Sequence, residues 1–110
     1  MSDTNTEFEK LKSMHTNARL LTQGGQPMVL LPAFSFRAAG RDQLMDLLLV
    51  PWAHSGYSTR LFFERAIRER GQNWTEHCFL ERKWWTPSWN NVPATFPWRE
   101  ILGAHIRGVA

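Results

Sequence analysis

The chain has 110 residues, of which 43% are hydrophobic, and its 13 basic and 10 acidic side chains give a formal net charge of +3. This length predicts a single domain over residues 1–110, in which residues 1–26 form a polar N-terminal helix and linker. The mild, dispersed charge argues against nucleic-acid binding. One cysteine, Cys78, excludes an internal disulfide and favours a reducing, cytoplasmic compartment. The N-terminus lacks a signal-peptide core, and the longest apolar run, residues 47–52, is too short to cross a bilayer.

The first half of the chain predicts one helix and two or three strands. Apolar residues recur at helical spacing before Gly24-Gly25 and predict a short amphipathic helix: Phe8, Leu11, Met14, Ala18 and Leu21. Residues 27–31 predict a strand, which Pro32 makes an edge strand or a bulged one, and residues 33–37 continue it. Residues 39–42 predict a turn. Residues 44–50 are almost entirely apolar and are the strongest candidate for a buried strand.

The second half predicts a strand, a long loop and a final helix. Residues 57–67 indicate another strand, and residues 68–97 show no convincing regular element. A helix is expected from Pro97, with one apolar stripe: Trp98, Ile101, Leu102, His105, Ile106 and Val109. The predicted fold class is therefore α+β, with an N-terminal helix, an antiparallel meander of three to four strands, a long active-site loop and a C-terminal helix.

Cys78 is the leading candidate for chemistry. It follows a stretch of loop-like composition, residues 71–77, and His77, Arg82 and Lys83 lie near it in sequence, which favours a thiolate. A thiolate at a protein surface can accept an acyl group and pass it to an amine. The structural alternative is a buried small hydrophobe, because free cysteine is among the most buried residue types.

Hydrolytic and metal chemistry have weaker signals. A cysteine peptidase needs a histidine beside the thiol, but the side chain of His77 would point away from Cys78 on an extended backbone. His54 is then the better candidate partner. One cysteine and four dispersed histidines give no paired ligand spacing, so no metal site is predicted.

Six tryptophans cluster late in the chain and suggest a contact surface, because tryptophan is enriched among the residues that dominate protein interfaces. The candidates for partner binding are Trp84, Trp85, Trp89 and Trp52. The same side chains could instead fasten the loop to the sheet. Packing is the expected role of Trp98 and is also considered for Trp85, whereas Trp52 is left open between the two roles.

Several short motifs occur in a characteristic order. They are residues 46–51 (DLLLVP), Gly56-Tyr57, residues 71–74 (GQNW), then Cys78 followed by Trp85-Thr86-Pro87, and the final helix. In this order they resemble the ubiquitin-conjugating enzyme superfamily, and in particular its compact bacterial branch from prokaryotic ubiquitin-like conjugation operons. The resemblance covers residues 28–110. The family's His-Pro-Asn tripeptide is absent, and Asn73, five residues before Cys78, is the candidate substitute.

The resemblance implies a UBC-like fold and a conjugating enzyme. Cys78 would accept a ubiquitin-like protein from an activating enzyme as a thioester and transfer it to an amine. Asn73 or a backbone N–H would stabilise the oxyanion, and His77 or Glu76 would assist deprotonation of the amine. No metal or organic cofactor is implied. The implied setting is cytoplasmic and bacterial, with a deconjugating metallopeptidase among the expected neighbours and a role in antiviral defence.

Two other functions remain open. One is a non-catalytic protein-binding module of the same fold, in which the Trp-rich loop docks a partner and Cys78 is a filler. The other is a single-stranded nucleic-acid binder that uses exposed tryptophans, which the mixed charge pattern disfavours.

Overall fold

The computed structural model describes residues 4–54, 56–67, 73–88 and 92–109. Two helices, α1 (Thr4–Met14) and α2 (Trp98–Val109), flank six strands. The strands are β1 (Arg19–Gln23), β2 (Gln26–Ala38), β3 (Arg41–Val50), β4 (Arg60–Phe63), β5 (Trp74–Phe79) and β6 (Arg82–Pro87). They form one antiparallel sheet in the order β1-β2-β3-β4-β6-β5, so β1 and β5 are its edges.

This sheet contradicts the predicted UBC-like α+β fold. The described chain is mostly β, with six strands and two short helices, whereas a UBC-like fold has a helix-rich core. The prediction of three to four strands missed β1 and the hairpin of β5 and β6. β1 was missed because its residues were assigned to the N-terminal helix and linker, but α1 ends at Met14.

The β5–β6 hairpin explains why residues 68–97 look irregular in sequence. Its two turn residues, Leu80 and Glu81, have φ values of 55° and 60°. Positive φ at both positions is the type I′ geometry, which asparagine and glycine usually provide. Leucine and glutamate give no such signal, whereas the Gly24-Gly25 turn between β1 and β2 does. The prediction of an irregular run is therefore wrong over residues 74–87.

Other local predictions fare better. β2 continues through Pro32 with a bulge, since its register with β3 shifts between Leu31 and Phe34 and Ala33 has a φ of 47°. The predicted strand over residues 57–67 is shorter and covers only β4. The final helix is confirmed, and its first carbonyl is that of Pro97, which accepts hydrogen bonds from the N–H groups of Glu100 and Ile101.

The sheet buries apolar side chains on both faces. We call the face covered by α1 and α2 the helical face; its core includes Leu11, Leu49, Phe63 and Ile101. The opposite face holds a second, smaller core: Met28, Leu48, Val50, Phe62, Phe79 and Trp84. Among the described residues no helix has the length and apolar character needed to cross a membrane.

A carboxylate joins the two helices. Glu7 of α1 is 8% exposed, and its Oε1 accepts a hydrogen bond of 3.1 Å from the backbone N–H of Trp98, at the start of α2. A carboxylate at a helix N-terminus satisfies a free N–H group and interacts favourably with the helix dipole. This contact fixes the two helices relative to each other over the helical face.

Candidate functional site

Cys78 lies on β5, at the edge of the sheet, and its side chain is exposed. Because side chains alternate along a strand, Cys78, Glu76 and Trp74 share one face. That face is the helical one, since the Trp74 ring contacts the Phe63 ring with centroids 5.4 Å apart. Lys83 of β6 lies directly across from Cys78, and its Nζ is 3.8 Å from Glu76 Oε2.

His77 lies on the other face of the sheet. Its ring centroid is 5.0 Å from that of His54 and 5.5 Å from that of Phe62, which belongs to the opposite-face core. Neither histidine therefore shares a face with Cys78. The structure therefore places neither His77 of β5 nor His54 of the β3–β4 loop on the face of the thiol.

Asn73 is also separated from Cys78. The two residues are five positions apart on an extended strand, which corresponds to about 17 Å along the chain. Asn73 is exposed, and its carbonyl accepts a hydrogen bond of 2.8 Å from the N–H of Ser88. An oxyanion donor has to lie within about 3 Å of the reacting oxygen. The predicted catalytic group of Cys78, Asn73 and His77 is not assembled in this conformation.

The tryptophans proposed for partner binding have different environments. Trp84 is 0% exposed, and its Nε1–H donates to the carbonyl of Phe79, so it is a core residue rather than a contact for a partner. Trp52 is half-buried, and its Nε1–H donates to the carbonyl of Pro27. Trp85 is half-buried and pairs with Phe63 of β4. Trp89 lies outside the described residues.

A cluster of basic side chains on the opposite face was missed in the sequence. Arg60 of β4 is 5% exposed and its guanidinium lies 4.2 Å from the centroid of the Tyr57 ring. His54 and His77 are near enough for the Arg60 charge to act on both. Burial first, and then the charges of neighbouring basic groups, lower the pKa of each histidine from its usual value. The signal in the sequence was one arginine preceding the buried run Leu61-Phe62-Phe63.

Among the described residues, no three histidine, cysteine, aspartate or glutamate side chains lie close enough together to hold a metal ion. His54 and His77 are two such ligands in contact. A tetrahedral zinc site uses at least three protein ligands, so this pair alone does not form one.

Comparison of the chain with protein-family models, with curated proteins and with solved structures finds no match. The resemblance to ubiquitin-conjugating enzymes therefore rests on the sequence motifs alone. Any function of this chain is therefore inferred from the geometry of the described residues.

Proposed function

We propose that this chain is a protein-binding module that receives an extended segment of a partner along the outer edge of β5. The observation that carries this proposal is the position of β5 at the end of the sheet, where its outer edge is left without a strand in the part of the chain that the structure describes. An unpaired edge is a template for another strand, and main-chain hydrogen bonds supply much of the affinity in such complexes.

The register of the hairpin identifies the groups that face outward. A two-residue type I′ turn is closed by a hydrogen-bonded pair, here Phe79 and Arg82. Hydrogen-bonded and non-bonded pairs alternate along an antiparallel ladder. Trp74, Glu76 and Cys78 thus belong to non-bonded pairs, and their N–H and C=O groups point away from β6. The bond from Ser88 to the Asn73 carbonyl fits the same alternation.

The two edges of the sheet differ in how they are protected. Natural edge strands are commonly blocked by proline, bulges, short length or lysine. β1 has five residues and begins with the exposed Arg19. β5 has six residues in regular register, without proline or lysine, and its one acidic side chain, Glu76, is paired with Lys83. β5 is therefore the more suitable edge for strand addition.

The outward-facing residues favour a different protein over a second copy of this chain. If two copies paired antiparallel through Trp74, Glu76 and Cys78, the symmetric register would place two Glu76 carboxylates directly opposite each other. Like charges in that position are destabilising. The better occupant is a segment with a basic side chain opposite Glu76 and an apolar one near Trp74.

The test is a selection of random linear peptides displayed on phage against the folded chain, followed by binding measurements on variants. Glu76→Pro removes one outward N–H and leaves the bonds to β6 intact, whereas Glu76→Ala removes only the carboxylate. Thr22→Pro is the matched control, because the register of β1 directs the Thr22 N–H outward at the other edge. The proposal predicts basic, extended peptides that bind wild type and Thr22→Pro but not Glu76→Pro. Failure to select such peptides, or equal binding to Glu76→Pro, counts against it.

A second candidate function is the acyl carrier, favoured by the exposure of Cys78 on the same edge. In this function the Cys78 thiolate attacks the activated C-terminal carbonyl of a ubiquitin-like protein, the activating group leaves, and an amine later displaces the thiolate. ATP is consumed by the activating enzyme, in a cytoplasmic setting. The test mixes the chain with a ubiquitin-like protein, an activating enzyme and ATP; an adduct sensitive to thiols and lost in Cys78→Ala supports it, and its absence with an active activating enzyme contradicts it.

A further inference from the structure

The opposite face of the sheet carries a buried cation, Arg60, that forms no ion pair with the acidic side chains of the described residues. Arg60 is 5% exposed, and within the described part of the chain its Nη2 makes a long contact of 3.5 Å to the carbonyl of Pro87. None of the ion pairs found among the described residues includes Arg60. Buried charges in proteins are usually paired, because removing an ion from water is costly. The aromatic ring of Tyr57 compensates only in part.

Two histidines beside Arg60 likewise form no ion pair with an acid in the part of the chain that the structure describes. The rings of His54 and His77 meet at a centroid distance of 5.0 Å. Nδ1 of His54 is buried without a hydrogen-bond partner among the described residues, while Nε2 of His77 lies 3.1 Å from the hydroxyl of Thr75. Both imidazoles are partly exposed, unlike Arg60. The three basic groups surround one aromatic ring, since the Phe62 centroid lies 6.0 Å from the Arg60 guanidinium and 5.5 Å from each imidazole ring. The N–H groups of the imidazoles can act as donors.

Among the described residues, the acidic groups on neighbouring elements are engaged elsewhere. On the same face, Asp46 of β3 is engaged by Arg82 of β6 at 3.1 Å. His105 of α2, on the other side of the sheet, is a further base whose pKa is lowered, first by burial and then by the charge of Arg60. Glu64, which follows β4 and shares the parity of Arg60 and Phe62, accepts the N–H of Asp46 through Oε1. The charged groups that act on the pKa values of His54 and His77 are all basic, and each lowers the pKa.

We propose that Arg60, His54 and His77 form a binding site for a small oxyanion, a phosphate or a carboxylate group, which approaches over the two imidazoles and balances the charge of Arg60. This site lies on the opposite face of the sheet from Cys78 and Glu76, although His77 belongs to the same strand, β5. The guanidinium supplies fixed positive charge, and the imidazoles supply N–H donors.

The site has a defined dependence on pH. A bound anion favours the protonated imidazoles, so it raises the pKa values of His54 and His77 above those of the free protein. Binding is then coupled to proton uptake, and the affinity for the anion increases as the pH falls from 8 to 6. A carboxylate held only by arginine would show no such change over this range, because both groups keep their charge; acetate is therefore the probe for this pH dependence, since phosphate itself titrates between pH 8 and 6.

The experiment follows the ring resonances of His54, His77, His105 and His15 by NMR while inorganic phosphate or acetate is added to the full chain at constant ionic strength, with sodium chloride as the balancing salt. We expect saturable shifts at His54 and His77, with little change at His15, which packs against Phe34. The affinities for phosphate and for acetate are then compared. Tighter binding of phosphate indicates a phosphate site, and tighter binding of acetate indicates a carboxylate site.

Variants separate this site from unspecific binding. His77→Gln should weaken binding by roughly tenfold, as expected for the loss of one charge-assisted hydrogen bond, and Arg60→Met should abolish it. His15→Gln is the matched control and should bind like wild type. If Arg60→Met does not fold, His77→Gln still decides the question. The His54 ring reports on binding in the His77→Gln variant. Equal affinity in wild type and His77→Gln, or no shift at His54 and His77 of wild type with either anion, would overturn the proposal.

Discussion

Asp46 and Arg82 form an ion pair of 3.1 Å across the sheet, although β4 lies between their strands. The second oxygen of Asp46 accepts a hydrogen bond of 2.8 Å from the N–H of Ala33, at the bulge of β2. The guanidinium of Arg82 also lies 4.3 Å from the centroid of the Trp84 ring. One carboxylate on β3 thus fixes the bulge of β2 and the position of β6, the strand that carries the β5 edge.

Replacing this carboxylate should destabilise the sheet. Asp46→Asn keeps the size of the side chain but removes its charge, and we expect the free energy of unfolding to fall by about 1–2 kcal/mol. Hydrogen bonds to charged groups contribute about 1.5–3 kcal/mol, and partial exposure of this pair reduces that value. Urea denaturation at pH 7 measures this change. Asp42→Asn is the matched control, because the ion pair of Asp42 with Arg37 is exposed and should contribute about 0.5 kcal/mol or less.

The stability contributed by Asp46 should depend on pH. The hydrogen bond from the N–H of Ala33 lowers the pKa of Asp46 most, burial opposes it as the next largest effect, and the hydrogen bond and charge of Arg82 lower the pKa further, so that it lies below its usual value. A lowered folded pKa means that the stabilisation is complete above the unfolded pKa of about 4 and is lost as the pH falls further. The difference between wild type and Asp46→Asn should therefore be constant from pH 5 to 7 and shrink below pH 4. A difference that grows on acidification would contradict this assignment.

The buried His105 should make the protein less stable in mild acid. Burial, and then the charge of Arg60, lower its pKa to about 4. Thr59 donates its hydroxyl hydrogen to the carbonyl of Val92, so its oxygen accepts the Nε2–H of His105 at 3.0 Å. Between pH 6.5 and 4 the unfolded chain binds a proton here that the folded chain does not, so stability decreases as pH falls.

The expected loss from this histidine between pH 7 and pH 5 is about 2 kcal/mol. NMR titration of the His105 ring tests its cause directly. The ring should stay neutral at pH 5 in the folded protein. A titration midpoint near 6.5 would show that burial does not hold His105 in its neutral form.

The turn between β5 and β6 should tolerate glycine better than its natural residue. Glu81 is exposed and has a φ of 60°, a conformation that costs a non-glycine residue about 1 kcal/mol. We expect Glu81→Gly to increase the thermal midpoint by a few degrees. Glu9→Gly, at an exposed position of α1, should decrease it, because glycine lowers helix stability. A decrease in both variants would contradict the type I′ geometry.

The same turn shows why part of the fold could not be predicted. The strand over residues 44–50 was found because turn residues bound it, Ala39-Gly40 before β3 and Pro51 after it. β1 was missed despite the Gly24-Gly25 turn, because its apolar residue Leu21 also fits the helical spacing of Phe8, Leu11, Met14 and Ala18. Leu80-Glu81 offers no such signal, because its geometry is imposed by pairing of the flanking strands and by the packing of Leu80 against the opposite-face core. The alternation that separates Cys78 from His77 was predictable, since it follows from an extended backbone. The proximity of Arg60, His54 and His77 could not be predicted from the sequence, because it depends on the order of the strands in the sheet.

Cys78 should react as a surface thiol. Its exposed position on the edge predicts that iodoacetamide modifies the folded protein to one equivalent, without prior unfolding. Mass spectrometry of native and urea-treated samples measures this. Cys78→Ser should be unreactive and should leave the thermal midpoint within about 2 °C of wild type, as expected for an exposed substitution. Modification only in urea would place the thiol inside the protein and remove the basis of the acyl-carrier function.

The measurement that tests the central claim most directly is amide hydrogen exchange along β5, with and without a saturating selected peptide. In the free protein we expect faster exchange at Glu76 and Cys78, whose N–H groups face outward, than at Thr75 and His77, whose N–H groups bond to β6. Strand addition predicts that the peptide slows exchange at Glu76 and Cys78 in wild type and fails to protect Cys78 in Glu76→Pro. Protection confined to other strands, or none on β5, would contradict a partner site at this edge.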